Sequence, residues 1–459
     1  MTSLPIADEL TQLSQAELIT LVLQLVERVR QLEAELEVLK KPPTNSRNSS
    51  QPPSRDWKAK RPEGASSQKR GAQPGHVKAA RPWVDQPTTV VHAPVSVCDQ
   101  CGADLRHTPA ARTIRRQILE LPEIQPVILE TQQAEVVCPC CHRPQKGALP
   151  EGLETTRQCG PRLEALVTYL HHEQHVSFQR LQRILQDVLG VDLSVGGAVA
   201  IIERAGEAAQ PEAEVIGEQV RQSKVIGSDE TSARVKGHNW WEWVFQSQAG
   251  EYHLIVPSRG QDVIDAFMRA ARAEVWNSDC WKPQLNAPAD SHQLCIPHQI
   301  RNLQKLIDER PHLRWAQDLQ DLFRGAVHLW HRRDKLTAAG FQGQVTRLEK
   351  HLNELLHRRV TGRLALNLLD RYRTHREHLF VFLHRPDVSP DNNACERALR
   401  PSVIHRKVLG SFRSEWGPRA YATLATVLNT AKRKGENVFV TLVRLMGKPV
   451  LHYLTPSIA

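Results

Sequence analysis

The sequence predicts a multidomain protein. A mixed α/β core is interrupted by an all-α insertion and preceded by a coiled-coil helix, a cysteine ribbon and a helical segment. Three observations carry this prediction. Residues 223–298 run in the order β-β-β-α-β, with short strand-like runs (SKVIGSDETSARV, NWWEWVFQSQ, EYHLIVPS), then DVIDAFMRAAR, then AEVWNSD. Residues 299–385 switch to helical periodicity, Val345, Leu348, Leu352 and Leu355 stepping by three and four. Upstream, Cys98-x-x-Cys101 and Cys138-x-x-Cys141 form a pair of metal-knuckle spacings. The 459 residues allow about three domains.

In chain order, residues 1–40 read as a coiled-coil or leucine-zipper helix. Leu18, Val22, Leu25, Val29, Leu32, Leu36 and Leu39 alternate at spacings of four and three, which keeps one apolar seam. A homo-oligomer through Leu18–Leu39 is expected, the alternative being an amphipathic helix packed on its own domain. Residues 41–90 read as a basic disordered linker. Over 41–82 ten Lys and Arg stand against Asp56 and Glu63, in a Pro- and Ser-rich context that cannot bury a core.

Residues 91–150 read as a four-cysteine zinc ribbon. The thiolates of Cys98, Cys101, Cys138 and Cys141 can converge tetrahedrally on one structural Zn2+, with Gly102 suited to the first turn and Cys140 and His142 as alternates in the second. The run 113–138 between the pairs is rich in β-branched residues and reads as ribbon strands. Residues 160–215 read as helices. Pro161 starts one, Leu181, Ile184, Leu185 and Val188 share a face of the second, and Ser194 caps a third after Gly190. That outline is HTH-like and fits a DNA-binding segment, or plain helical packing equally well.

The core, 223–298, puts Asp229 at the end of its first strand and Asp279 just after its fourth. Carboxylates on strand ends are held rigidly. They can bind Mg2+, which takes oxygen ligands and bridges phosphate, and two such ions serve phosphoryl transfer. A third carboxylate must come from a later helix in 386–459. Glu396 is the candidate, with Arg397, Arg400, Arg406 and Lys407 beside it as DNA-binding residues. Glu230, Asp290 and Asp391 compete with Asp229, Asp279 and Glu396 respectively.

Charge and composition narrow the classes. The formal charge is +10 with 24% charged and 40% hydrophobic residues, which favours an anionic partner and excludes a wholly disordered chain. MTSLPIADEL has no basic and apolar leader pattern, no apolar run approaches the ~18–20 residues of a membrane span, and nine cysteines do not read as a secreted disulfide scaffold. A cytoplasmic protein with no membrane partner is expected.

Taken together, these motifs resemble the IS66 family of bacterial insertion-sequence transposases, nearly end to end. The resemblance is carried by the leucine-rich N-terminal helix, NSRNSSQPPSRD, GAQPGH, the paired knuckles, SDET at Asp229 and NSD at Asp279. It continues through Cys295-Ile-Pro-His298-Gln-Ile-Arg301, DNNACERALRP with Glu396, RKVLGSF and TAKRKG. It implies a ribonuclease-H-like core with a DDE triad of Asp229, Asp279 and Glu396 holding two Mg2+ ions, Mn2+ being an alternative. The 117 residues from Asp279 to Glu396 fit an all-α insertion before the Glu helix. The implied function is a DNA transposase that binds the terminal inverted repeats of its element and performs 3′-end cleavage and strand transfer into target DNA, alongside accessory proteins of the same element. The alternatives are a non-catalytic zinc-ribbon DNA-binding protein derived from a transposase, and a hydrolytic nuclease of the same core. Cys295 and His298 match a family C-x-x-H stretch, read as strand-end packing in preference to a metal site. The sequence departs from the family where a Tyr-containing aromatic stretch often follows the second Asp; here it is Cys280-Trp281-Lys282-Pro283.

Overall fold

Strands β3 (Val225–Val235), β4 (His238–Gln246), β5 (Glu251–Val256), β6 (Ala273–Ser278) and β7 (Ala289–Leu294) build the central sheet. It is five-stranded and mixed, in the order β5-β4-β3-β6-β7. The computed structural model describes residues 14–40, 45, 81–150, 153 and 157–447. Apart from residue 45, the basic stretch 41–80 and the C-terminal residues 448–459 lie outside the described residues, as do the side chains of Leu32, Leu36 and Leu39. The chain divides into two units, 58–128 with 188–190, and the remainder.

In the larger unit, β3 pairs antiparallel with β4 and β4 with β5, as two tight hairpins dictate. Helix α5 (Gln261–Met268) then carries the chain across, so β6 pairs parallel with β3 and β7 parallel with β6. The fifth strand, β7, was not foreseen; its sequence ADSHQL lacks branched residues, and only its placement beside β6 makes it a strand. Asp229 also sits differently from its expected strand end. Strand β3 runs on to Val235, and Asp229 is mid-strand, opposite Val244 of β4.

Helices clothe the sheet. The segment 160–215 yields α2 (Pro161–Thr168), α3 (Phe178–Leu189) and α4 (Val195–Arg221), with the Ser194 hydroxyl accepting from Gly197 N–H at 3.0 Å as an N-cap. The α4 stripe Ala205, Ala209, Ala213, Ile216 and Val220 packs with Ile226, Trp243, Phe245 and Trp276 of the sheet. Its solvent side shows Glu207, Glu214 and Glu218, a face that repels phosphate. Between β7 and the later helices lies an all-helical block: α7 (Ile296–Glu309), α8 (Arg314–His331), α9 (Ala338–His357), α10 (Arg363–Thr374) and α11 (Val381–His384). The short α6 is Lys282–Leu285. The block has its own core around Phe323, Val345, Leu352, Leu369 and Tyr372.

Helix α12 (Asn393–Leu409) lies on the sheet face of Val244, and α13 (Trp416–Arg433) runs along edge strand β5 before α14 (Val438–Met446). An open edge would leave N–H groups bare. Here Thr426 Oγ1 accepts from His253 N–H at 2.9 Å and Thr430 Oγ1 from Glu251 N–H at 3.1 Å, one helical turn apart.

The N-terminal helix α1 spans Gln15–Lys40, with Val22, Leu25 and Val29 exposed. The run expected to supply ribbon strands forms a ladder only at β1 (Glu135–Val137), paired with β2 (Pro144–Lys146). Its other branched residues, Ile114, Ile118 and Ile128 among them, are exposed, and they have no facing apolar layer to hold them as strands. Within the smaller unit Arg115 covers the Trp83 ring at 5.1 Å, and Val84 N–H donates to Gln117 at 3.1 Å.

Candidate active site

Side chains alternate along a strand, and β3 uses both faces at one point. Ser228 and Glu230 face α6: Ser228 Oγ donates to Gln284 Oε1 at 3.0 Å and accepts from Trp276 Nε1 at 2.9 Å. Gly227 and Asp229 face α12. The β3–β6 pairing ends at Gly227 and Asn277, so the strands part where Asp229 and Asp279 stand.

The sequence DNNACE brings Glu396 to this opening. Asp391 Oδ1 accepts from Asn393 N–H at 3.1 Å and from Ser389 Oγ at 3.2 Å, so this competitor of Glu396 is spent on the turn that starts α12. Asn392 is buried and donates to the Ser228 carbonyl at 2.7 Å, tying that turn to β3. Asn277 Nδ2 donates to the Ser389 and Asp391 carbonyls, each at 3.0 Å, tying it to β6. Cys395 packs over Gly227, where a Cβ would come within 2.9 Å of its sulfur. Glu396 lies in the first turn of α12, and its charge acts on both aspartates.

The electrostatics report that convergence. Burial raises the Asp229 carboxyl well above its ordinary range, and the charges of Glu230, Asp279 and Glu396 add to the effect. Asp279 is pushed up to about 6, by burial first, then by Glu230 and Glu396, against Arg259. Asp279 Oδ1 and Glu396 Oε1 are buried with no hydrogen-bond partner. Like charges gathered with orphaned oxygens are what a cation site requires. Among the described residues no three His, Cys, Asp or Glu side chains close around one point. Mg2+ needs only one or two carboxylates, with water and phosphate oxygens completing its shell, so the oxygen-only donor set fits that ion.

The other competitors are placed elsewhere. Asp290 is exposed and paired with Arg272 at 2.5 Å. Glu230 is buried and clamped: Arg259 donates to it through Nε and Nη2 at 2.9 and 2.7 Å, and Gln284 donates to its second oxygen. Arg397, Arg400 and Lys407 are exposed on α12. Arg406 is half-buried, with Nη1 3.3 Å from Ser232 Oγ, so part of its donor capacity serves β3.

Two halves of the Cys-x-x-His stretch separate. Cys295 is wholly buried, its sulfur accepting from Asn392 N–H at 3.3 Å and its thiol pushed up to about 12 by burial. His298, expected to be packing, lies with Nε2 3.8 Å from Glu396 Oε1, and burial and Arg301 push it down to about 4, so it is neutral. Sequence reasoning also missed Arg259, Gln284, Asn277 and Asn392. Only the Asn residues lay in motifs that marked them out.

Each knuckle repeats one backbone design. Cys98 N–H donates to the Ala103 carbonyl at 2.9 Å and Gly102 N–H to the Cys98 carbonyl at 3.0 Å; Cys138 with Arg143, and His142 with Cys138, do the same at 3.0 and 2.9 Å. Gly102 and His142 both have positive φ, +74° and +55°. Backbone N–H donors from Cys101 and Gln100 lower the Cys98 thiol, and those from Cys141 and Cys140 lower Cys138. Stabilised thiolates are the form that binds metal; among the described residues the four cysteines form no cluster around one point, and Cys98 and Cys101 belong to one unit and Cys138 and Cys141 to the other.

The model of the family "Transposase IS66 family" matches residues 156–420, more than half of the chain and a span that contains Asp229, Asp279 and Glu396. A family of unknown function (DUF6444) matches residues 3–82. An uncharacterized protein, y4qI of Sinorhizobium fredii, is 45% identical over 62 residues, 14% of this chain and 12% of that protein, so the chain spans far less than two thirds of that relative. Among the described residues no helix is long and apolar enough to cross a membrane.

Proposed function

The chain belongs to the IS66 transposase family, and from that premise we propose that it is a DNA transposase whose site is Asp229, Asp279 and Glu396 on a ribonuclease-H-like core. The strand order β5-β4-β3-β6-β7, with β6 and β7 parallel to β3, supports that core. The observation that supports the reading is that the charges of Asp229, Asp279 and Glu396 act on one another where β3 and β6 part, two of them with orphaned oxygens.

Asp229, Asp279 and Glu396 would hold Mg2+ or Mn2+, which when bound supply Lewis-acid stabilisation of charge on the reacting phosphate. The protein's own part is positional. β3 and the turn after β6 fix the two aspartates, and the Asn392 and Asn277 braces fix the helix of Glu396. His298, kept neutral, adds no charge beside Glu396. In cleavage a water oxygen bonds to phosphorus as the P–O3′ bond breaks, leaving a 3′-hydroxyl on the element end. In strand transfer that 3′ oxygen bonds to a target phosphorus and displaces the target's own 3′ oxygen, which takes up a proton. Arg397, Arg400 and Lys407 offset phosphate charge. The knuckle cysteines Cys98 and Cys101, and Cys138 and Cys141, would hold structural Zn2+ and, with the basic stretch 41–82, would serve recognition of the terminal inverted repeats. The exposed Val22, Leu25 and Val29 of α1 supply a seam for a second copy of the chain.

The test is strand cleavage and joining on a plasmid bearing the DNA that flanks the gene, with Mg2+. Asp229→Asn and Glu396→Gln should each lower cleavage on the order of 1000-fold while leaving DNA binding intact. Full activity in either variant overturns the triad. Cleavage without joined products points to a nuclease, and binding without cleavage by the wild type points to a non-catalytic DNA-binding protein.

A further inference from the structure

Beside the carboxylates stands a stack of three flat groups that the proposed chemistry does not use. The Arg259 guanidinium lies 4.5 Å from the centroid of Trp241 and 4.4 Å from that of Trp281. The arginine is fixed edge-on by two hydrogen bonds to Glu230, whose side chain is 2% exposed and is held in turn by Gln284. Rotation of Arg259 would break both bonds, so the stack is rigid. Trp281 ends it and remains 37% exposed. It is also close to the site, its backbone N–H helping to lower the Asp279 carboxyl.

Tryptophan is highly buried on average, though rarely completely. This one has its inner side on a cation and keeps over a third of its surface in solvent, two residues beyond a site carboxylate. An indole backed by a guanidinium offers a face to one more planar group, and the exposed Arg397 and Arg400 of α12 favour a polyanion as its carrier. A base inside a duplex has both faces covered by its neighbours, so only an unstacked base can take the position. We propose that Trp281, buttressed by Arg259, Trp241 and Glu230, is a stacking platform for one unpaired nucleobase next to the phosphate being cut. Bound DNA is therefore locally unstacked at the site. This inference rests on the reading of the chain as a DNA-binding transposase.

Two probes test it with the full-length protein, in Ca2+ so that no strand is cut: a short duplex with one central unpaired 2-aminopurine, and the same duplex fully paired. The wild type should bind the unpaired probe roughly tenfold more tightly and quench its 2-aminopurine emission, as expected for one base stacked on an aromatic ring. In Trp281→Ala the ratio of the two affinities should fall toward one and the quenching vanish, while Trp281→Phe keeps most of both. Equal binding of the two probes by the wild type, or an unchanged ratio and quenching in Trp281→Ala, overturns the platform even if the protein cuts DNA. A preference lost in Trp281→Ala sustains it even if cleavage is never observed.

Discussion

Gly227→Ala tests whether the close seat of α12 on β3 is what delivers Glu396. A Cβ at Gly227 would lie 2.9 Å from Cys395 Sγ and 3.2 Å from Asn392 Oδ1. Ordinary contact begins near 3.4 Å, so about 0.5 Å must be found on the sulfur side, where Cys395 is 1% exposed. Overpacking of this size costs about 1–3 kcal/mol. The helix start can move only by loosening the 2.7 Å bond from Asn392 to Ser228, and Glu396 is four residues further on. A misplacement near 1 Å costs roughly 100-fold in rate, so half of that predicts a loss of about tenfold in cleavage. Urea unfolding and the plasmid cleavage assay read the two effects separately. Cys395→Ala in the same background removes the clashing sulfur and should recover most of both. If Gly227→Ala is as stable and active as the wild type, or the added Cys395→Ala change recovers nothing, the seat does not position Glu396.

Two further outcomes follow from buried chemistry. His253 is fully buried with Nδ1 3.0 Å from Glu242 and Nε2 3.6 Å from Glu251; burial pushes it down, but the two carboxylates outweigh it and raise it to about 9 from 6.5. A raised folded value means that the stabilisation is full below about pH 6.5 and fades as pH climbs through about 9, a swing of about 3 kcal/mol. Urea midpoints of the wild type should fall over that window, those of His253→Gln should fall much less, and parallel profiles would falsify the ion pair. For the knuckles, elemental analysis should find zinc at about one equivalent per chain, reduced in Cys98→Ser and in Cys138→Ser; a zinc-free wild type would remove the ribbon.

Much of the architecture was legible because it is local. The three strand-like runs, the helix after them and the Ser194 cap follow from side-chain alternation, turn residues and a hydroxyl at a helix start. β7 was not legible, because ADSHQL carries no strand pattern of its own and is made a strand by lying beside β6. The place of Asp229 was misjudged: it reads as a strand end, yet its run continues to Val235 and residues 230–235 each have a partner on β4. The long run 113–138 shows the reverse failure, branched residues without the facing layer that would make a sheet of them. At the site, the acids could be named but their competitors could not be dismissed. What separates Glu396 from Asp391 is a hydrogen bond to Asn393 N–H, and what sets Glu230 apart from Asp229 is an arginine 29 residues away. Neither leaves a mark at the level of spacing.

The charge layout explains why such a site would be built from residues that resist one another. Residues 41–82, 299–385 and 396–459 each carry a net +8, which against +10 overall leaves the remainder of the chain acidic. The carboxylates at the opening between β3 and β6 belong to that acidic part, apart from Glu396, which α12 sets among Arg397 and Arg400. A phosphate approaching this opening meets attraction from α12 and repulsion from Asp229, Asp279 and Glu230. Lifting the repulsion by protonation would work for Asp279 only near its value of about 6, and a protonated acid is a poor metal ligand. On the proposed reading, divalent cations would lift it at neutral pH and return the acids to their charged form. The mutual repulsion of the carboxylates would then favour cation binding. On the same reading, grip and chemistry would be separate: the basic segments would hold DNA without metal, and the opening would admit the phosphate to be cut once the acids are compensated.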